Sequence, residues 1–259
     1  AGLSGGAHSP GLQAAEGAGT AIRAETLINS GPGNRDGSPS DRIGANALAE
    51  ALALIEHDGK EFTSSSNPLQ DVLLSRYVRA VSSIQFNAKV QSVNYGGEKV
   101  EISHSNGTDT VDKVIVTVPV SILKAGDISF TPSLPSSKSS AMSRIGMDAS
   151  IRLILEFKRN FYGEAMAALL GGVQGPDYLN SAIGRSTLNK TLSITINGPK
   201  AEQLSLLPGD LAVQQLLAEM DTVFGGSLAT NNIRRDTADN SLVYTMKDWT
   251  KDPLIKGGF

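Results

Sequence analysis

Cysteine is absent from this 259-residue chain. That excludes disulfides, thiolate metal sites and a cysteine nucleophile, and it leaves the compartment open. Histidine occurs three times (His8, His57, His104), never at the spacing of a metal-ligand set. Tryptophan occurs once, at Trp249, so any motif that uses it is easily followed. The net charge is only -3, which argues against a broad affinity for nucleic acid or anionic membrane. No apolar run approaches the roughly 20 residues that span a bilayer. There is no nucleophile elbow and no Walker-type phosphate loop. Without such groups, any difficult bond-breaking step must be supplied by a cofactor.

What is present is organised around Val111 to Pro135. Val114, Ile115, Val116 and Val118 are β-branched and nearly unbroken, which predicts a strand buried on both faces. Pro119 has no N–H for a ladder and ends it. The chain then offers Lys124, a short alternating piece at Ile128 and Phe130, and two prolines, Pro132 and Pro135. Upstream, Ile84, Phe86, Ala88 and Val90 alternate with polar residues, which predicts a half-buried strand. Gly96-Gly97 turns it into Val100 and Ile102, and Asn106-Gly107 reads as a type I′ hairpin leading to a third strand over 110–118. A three-stranded meander over 82–118 is expected.

Residues 1–45 are rich in Gly, Ser, Ala and Pro and read as loop. Within them, Gly2 and Gly5 have the spacing of the later part of a dinucleotide fingerprint, where glycines let backbone N–H groups approach a pyrophosphate. Low complexity is the competing reading. Residues 41–56 predict a helix with Leu48, Ala51, Leu52 and Ile55 on one face, and 70–80 a shorter one. After Pro135 a helix runs to Gly146. ASIRLILEF (149–157) then alternates Ile151, Leu153 and Leu155 with Arg152, Ile154 and Glu156. LSITING (192–198) is a strand into a turn. Residues 200–224 carry an interrupted and then a clear amphipathic helix, with Leu211, Leu216, Leu217, Met220 and Phe224 apolar, ended by Gly225-Gly226. Asn106-Gly-Thr108 and Asn189-Lys-Thr191 fit the glycosylation pattern.

Three of these stretches together resemble a known family. V-I-V-T-V-P followed by L-K, then I-x-F-x-P-x-L-P-x-x-K, is similar to the flavin-containing amine oxidases, which include monoamine, polyamine and L-amino-acid oxidases and histone demethylases. IQFNAKVQSV resembles the family's strand before its hairpin. W-x-x-D-P-x-x-x-G-G-F, through Trp249, Asp252, Pro253, Gly257 and Phe259, resembles the segment near its substrate cavity. The resemblance covers about Ile84 to Phe259. It implies an α/β fold of mixed α+β character: a mixed-sheet substrate domain with helices, plus part of a nucleotide-binding domain carrying the meander. The expected division is 1–45 as a remnant of the FAD-binding Rossmann segment, 46–81 as a helical connection, 82–125 as the meander, and 126–259 as the substrate-binding domain.

The same resemblance implies FAD as cofactor and oxidation of the C–N bond of an amine or L-amino acid, with molecular oxygen as second substrate and hydrogen peroxide as product. It places Lys124 as the lysine that holds a water near the flavin. Burial would lower the proton affinity of that ammonium. It places the Val90 backbone against the adenine of FAD, and Trp249 as a wall near lysine and flavin. Ordinary readings stand beside these: Lys124 as a surface lysine, Val90 and Trp249 as core residues. An amino-acid substrate requires an arginine for its carboxylate, and Arg144, Arg152, Arg159 and Arg185 are candidates. Family members are much longer, so a homo-oligomer or a complementing fragment is an expected partner. A non-catalytic fragment or binding module of the same fold is the alternative function. A desaturase or porphyrinogen oxidase of the same superfamily is disfavoured by the T-V-P, L-K and W-x-x-D-P pieces.

Overall fold

A computed structural model describes residues 33–34, 37–39, 42–53, 69–184 and 190–258. The chain divides into two compact units, one formed by residues 1–57 and 147–259 and the other by 58–146. Gly2, Gly5, Ile55 and Arg185 lie outside the described residues.

In the 58–146 unit, helices α2 (Leu69–Arg76) and α3 (Val78–Ser82) precede β1 (Val90–Asn94), β2 (Val100–His104) and β3 (Gly107–Val111). After α4 (Val120–Lys124), β4 (Ser129–Thr131) returns to lie parallel to β1, pairing Ser92 with Ser129. The sheet order is β3-β2-β1-β4, and α5 (Ser136–Arg144) closes the unit. This pairing of β4 with β1 is why the unit extends to Gly146 rather than stopping at residue 125. Val93, Ile122 and Ile128 form its small core, with Val90, Val114, Val118 and Phe130 against them.

The meander forms, but with shifted strands. Asn87 adopts φ +57°, in the left-handed region that a strand does not tolerate, so the first strand begins only at Val90 and Phe86 is 76% exposed. His104 pairs with Gly107, which makes Ser105-Asn106 the two-residue loop instead of Asn106-Gly107. Ser105 fixes that choice: its N–H donates to the Lys89 carbonyl and its hydroxyl to the Asn87 carbonyl, both at 2.9 Å. The third strand is therefore 107–111, and 113–118 is not a strand. Val114 and Val118 do pack on the small core, but Ile115 is 87% exposed. Burial on two faces needs a layer on each side, and within this unit the run has one.

In the other unit, α1 (Ala45–Ala53) is the described part of the first predicted helix; the side chains of Leu48, Ala51 and Leu52 lie outside the description. The centre is a five-stranded sheet of order β6-β7-β8-β5-β9, with β5 Ser150–Glu156, β6 Ala168–Leu170, β7 Asp177–Asn180, β8 Thr191–Asn197 and β9 Tyr244–Asp248. All its pairs are antiparallel, so the parallel component of the fold belongs to the other sheet. Helices α6 (Pro199–Ser205), α7 (Gly209–Phe224) and α8 (Leu228–Asn232) complete it. Ile151, Leu153 and Leu155 from β5, Leu192, Ile194 and Ile196 from β8, and Ala212, Val213, Leu216, Leu217 and Met220 from α7 form one fully buried core. Leu211, expected inside, points outward because the buried stripe of α7 runs through Ala212 and Val213. At Gly225 the backbone turns to φ +79°, which ends α7 as expected.

Hairpin β6–β7 falls in the Gly-rich stretch where no element is legible. Its turn is held by one side chain from α7. The Glu219 carboxylate accepts the backbone N–H groups of Val173, Gln174 and Gly175 and, at 2.6 Å, the hydroxyl of fully buried Tyr178. A methyl group at Gly175 would lie 2.6 Å from the Tyr178 ring, so this turn requires glycine.

The two buried tyrosines of this core differ in a testable way. The Tyr178 hydroxyl is bonded, whereas that of Tyr162 is buried with no partner among the described residues. Tyr178→Phe is expected to lower stability by about 1–3 kcal/mol, and Tyr162→Phe to leave it unchanged or raise it by up to about 1 kcal/mol, in chemical denaturation. Burial, reinforced by Glu164, pushes the Tyr162 hydroxyl up from 10.0 to about 12. Its contribution is thus full below about pH 10 and is lost as pH rises toward 12. The fall in stability over that window is expected to be shallower in Tyr162→Phe.

Candidate functional site

Period-two geometry gives the five-stranded sheet two unlike faces. On β5, Ile151, Leu153 and Leu155 point into the core with no exposure, which sends Arg152 and Ile154 to the opposite face. Register then sets their neighbours. Arg152 lies opposite Thr195 of β8 and Lys247 of β9; Ile154 lies opposite Ser193 and Thr245; Ser193 lies opposite Leu179 of β7. One row of this face is therefore polar and cationic, and the adjacent row is Leu179, Ser193, Ile154 and Thr245. Ile154 is 41% and Leu179 38% exposed.

The polar row has its own bracing. Arg152 Nη2 donates to Ser193 Oγ at 3.4 Å. Asp177 accepts from the Thr195 N–H at 3.3 Å. Burial pushes the Asp177 carboxyl above its ordinary value, against hydrogen bonds from Thr195 and Asn34 and the charge of Arg152. Strand β7 covers β8 only up to Ile194, and beyond that Asn34 takes its place. Its Nδ2 donates to the Thr195 carbonyl at 2.7 Å, its Oδ1 accepts from the Asn197 N–H at 3.0 Å, and its carbonyl accepts from Asn197 Nδ2 at 2.6 Å. One buried asparagine thus substitutes for a missing length of strand.

Beside this face lies the loop that contains Trp249. The Trp249 N–H donates to the Ser150 carbonyl at 2.9 Å, and its carbonyl accepts from Asp252 and Gly257 at 3.3 and 3.0 Å. Lys247 stands 4.9 Å over the indole ring and 2.6 Å from Asp252. The Lys247 bond is the leading cause that holds the Asp252 carboxyl below its ordinary value. Gly257 has φ +129°, and a methyl group there would lie 2.6 Å from the Asp148 carbonyl; one at Gly258 would lie 2.5 Å from Ser150 Cβ. The spacing W-x-x-D-P-x-x-x-G-G is thus a loop that closes on the start of β5. The lysine that Trp249 meets within its own unit is Lys247.

Val90 and Lys124 belong to the 58–146 unit. Val90 is half-buried on the small core. Strand β4 pairs with β1 only over Ser92–Asn94, so among the described residues no strand pairs with the β4-side edge of Val90, the edge that the expected contact to an adenine would use. Lys124 ends α4, is exposed, and donates its Nζ to the Ile145 carbonyl at 2.9 Å. The burial expected for its ammonium is not supplied by its own unit. Gly2 and Gly5, the fingerprint glycines, are outside the described residues. Lys247 and Asn34 are the site residues that motif reading passes over, whereas Arg152 is among the arginines it offers. Alternation in ASIRLILEF does mark Arg152 as facing away from the core, while Asn34 and Lys247 carry no comparable signal.

The sequence profile described as flavin containing amine oxidoreductase matches residues 47–259. Lysine-specific histone demethylase 2 of Homo sapiens is 25% identical over 189 residues, 67% of this chain and 21% of that protein. Probable polyamine oxidase 4 of Arabidopsis thaliana is 28% identical over 181 residues, 67% of this chain and 33% of that protein. The chain thus spans a third or less of the length of either relative. Among solved structures, cyclohexylamine oxidase from Brevibacterium oxydans IH-35A superposes with a TM-score of 0.64 over 93% of this chain and 52% of that one, at 16% identity. A putrescine oxidase variant gives 0.56 over 71% of this chain and 39% of that one, also at 16%. The likeness to these two structures is one of fold.

Because Trp249 is the single tryptophan, its fluorescence reports on the loop directly. Gly257→Ala is expected to lower stability by about 2–3 kcal/mol and to shift the Trp249 emission. The Asp252–Lys247 pair contributes stability above the ordinary carboxyl value of 3.8 that is lost as pH falls below it. An acid titration of the Trp249 emission should show this transition in the parent chain and not in Lys247→Met.

Proposed function

The chain belongs to the flavin-containing amine oxidoreductases, and from that premise we propose that it serves an FAD-dependent oxidase acting on the C–N bond of an amine or L-amino acid. FAD is the cofactor of this family and fold. The observation that carries the reading is the extent of the family match, which runs through both the unit with β1–β4 and the unit with the five-stranded sheet. The likeness to a probable polyamine oxidase supports a reading of amine oxidation. Hydrogen peroxide as product and oxygen as electron acceptor follow from that reading.

Each unit has a part in this proposal. The open edge at Val90 fits one contact to the adenine of FAD, and Gly2 and Gly5 are the candidates for its pyrophosphate. Bound FAD would supply the acceptor for the hydride equivalent that leaves the carbon bearing the amine, as the C–N bond becomes the imine C=N. The chain's own residues bind and orient the amine on the face of the five-stranded sheet opposite its buried core, where Ile154 and Leu179 offer partly exposed apolar surface. Lys124 holds the water that exchanges protons near the flavin; to do so it must be released from the Ile145 carbonyl and lose water around its ammonium. Trp249, braced by Lys247, gives a rigid wall. The partners are a small amine and oxygen, with no nucleic acid or membrane surface.

A second reading has its own support. Ile115 and Phe86 leave large apolar side chains in water within the 58–146 unit. Such a surface fits a substrate-domain piece or binding module that works only with a complementing polypeptide.

Visible spectroscopy separates the two. Purified protein is expected to carry, or take up, a flavin whose band bleaches when an amine is added without oxygen, with peroxide released on re-aeration. Lys124→Met should slow the bleaching or the reoxidation by roughly 10²-fold, the low end for positioned proton transfer. A protein that stays colourless with added FAD overturns the oxidase reading for this chain.

A further inference from the structure

The dipeptide Asn-Gly occurs twice in the chain, at Asn106-Gly107 and at Asn197-Gly198. It is the pair most open to loss of its side-chain amide, because glycine has no Cβ to keep the following backbone nitrogen away from the asparagine Cγ. That nitrogen gives up its proton and attacks Cγ. The new C–N bond closes a five-membered succinimide, and Nδ2 leaves as ammonia. Water then opens the ring at one of its two carbonyls. Opening at Cγ leaves aspartate; opening at the main-chain carbonyl leaves isoaspartate, with the chain routed through Cβ and Cγ. Both pairs share this local chemistry, and the fold separates them.

Asn197 is fastened at the groups the reaction must move. Its Nδ2, the leaving group, donates to the Asn34 carbonyl at 2.6 Å, and its backbone N–H donates to Asn34 Oδ1 at 3.0 Å. The Gly198 N–H, the nucleophile, is given to the Ala149 carbonyl at 2.9 Å. Gly198 is buried, and a methyl group on it would lie 3.1 Å from Pro39 Cδ. Asn106 and Gly107 are instead exposed at the tip of the β2–β3 hairpin, and a methyl group on Gly107 would meet nothing within 4 Å. Among the described residues the Asn106 amide meets Ser105 Oγ, 3.3 Å from its Oδ1, a hydroxyl whose proton already goes to the Asn87 carbonyl at 2.9 Å. Gly107 forms the closing rung of the ladder with His104, and terminal rungs open most readily.

We propose that Asn106 is a site of spontaneous deamidation in the folded chain, and that Asn34 and Ala149 protect Asn197 from the same reaction. Water is its only co-reactant, and it proceeds without bound flavin. The product bears on the smaller unit. Isoaspartate adds a backbone methylene to the two-residue loop Ser105-Asn106, which works against the pairing of His104 with Gly107 and the Ser105 bonds to Lys89 and Asn87. A new carboxylate also enters a hairpin where His104 already stands 3.3 Å from Asp109. The β2–β3 pairing of an aged chain is therefore weaker than that of a fresh one. Either product also erases the glycosylation pattern Asn106-Gly-Thr108.

The test ages the full chain in mildly alkaline heavy-oxygen water and reads each Asn-Gly peptide by mass spectrometry, with a parallel sample in denaturant. In the folded sample the Asn106 peptide is expected to take up one heavy oxygen, as aspartate and isoaspartate, at least about tenfold faster than the Asn197 peptide, the order of factor that opening two hydrogen bonds imposes on Asn197. In denaturant the two rates are expected to converge. Asn106→Gln, whose longer side chain closes a ring far less readily, should stay unlabelled at that position and keep the hydrogen-exchange protection of its β3 amides, while the aged parent loses it. No label at Asn106 in the folded chain, or label equal to that at Asn197, overturns the proposal. So does a preference for Asn106 that persists unchanged in denaturant, where the fold protects neither pair. Full β3 protection in a labelled parent overturns the stated effect on the hairpin.

Discussion

The strand Ser150–Glu156 is the constraint on which the larger unit depends. It has a partner on each edge, so all its backbone donors and acceptors can be satisfied in the sheet. Its odd positions, Ile151, Leu153 and Leu155, are sealed against α7 and β8 with no exposure. A slip of one residue would place Arg152 in that core, unpaired, and put three aliphatic side chains in water. The buried set therefore fixes which residues reach the other face. The arrangement of Arg152, Ile154, Ser193, Thr195 and Lys247 is a consequence of core packing, and the chemistry offered there follows from it.

Around that strand the loops are fastened by few groups. Asn34 completes the exposed end of β8, Glu219 gathers three backbone N–H groups at the β6–β7 turn, and Gly257 and Gly258 let the Trp249 loop close on Asp148 and Ser150. In each case a backbone group that would otherwise lack a partner is met by one side chain or by the absence of one. The smaller unit is fastened less. Its core is three buried residues with five partly buried neighbours, and apolar side chains at Phe86 and Ile115 remain in water. The disparity is physical: the larger unit packs the sixteen-residue helix α7 against its sheet, while the smaller one sets only the five-residue α4 on its small core.

Local pattern was a good guide wherever an element is amphipathic and long. The strands at 150–156 and 191–197 and the helix at 209–224 lie where their periodicity puts them, because burial on one side rewards that register. Pattern misled where an element depends on distant partners. Val114–Val118 has the composition of a doubly buried strand, yet composition does not provide the neighbours that would bury it. Ile84–Ala88 alternates like a strand, but Asn87 and the Ser105 clamp turn the chain instead. Asn106-Gly107 is a strong turn signal, and one tertiary hydrogen-bond pair moved the turn by a residue.

By itself the sequence determined the family, the cofactor class and the identity of the W-x-x-D-P loop, because those reside in ordered residue types that no packing can alter. It also determined that Arg152 and Ile151 face opposite ways, because a strand alternates. Only the tertiary structure decided that Arg152 stands across from Lys247, that Lys247 rather than Lys124 meets Trp249 within its unit, and that Asn34 finishes β8 from more than a hundred residues away. Those facts depend on strand register and loop closure, which are set by the fit of whole surfaces and are carried by no single stretch of chain.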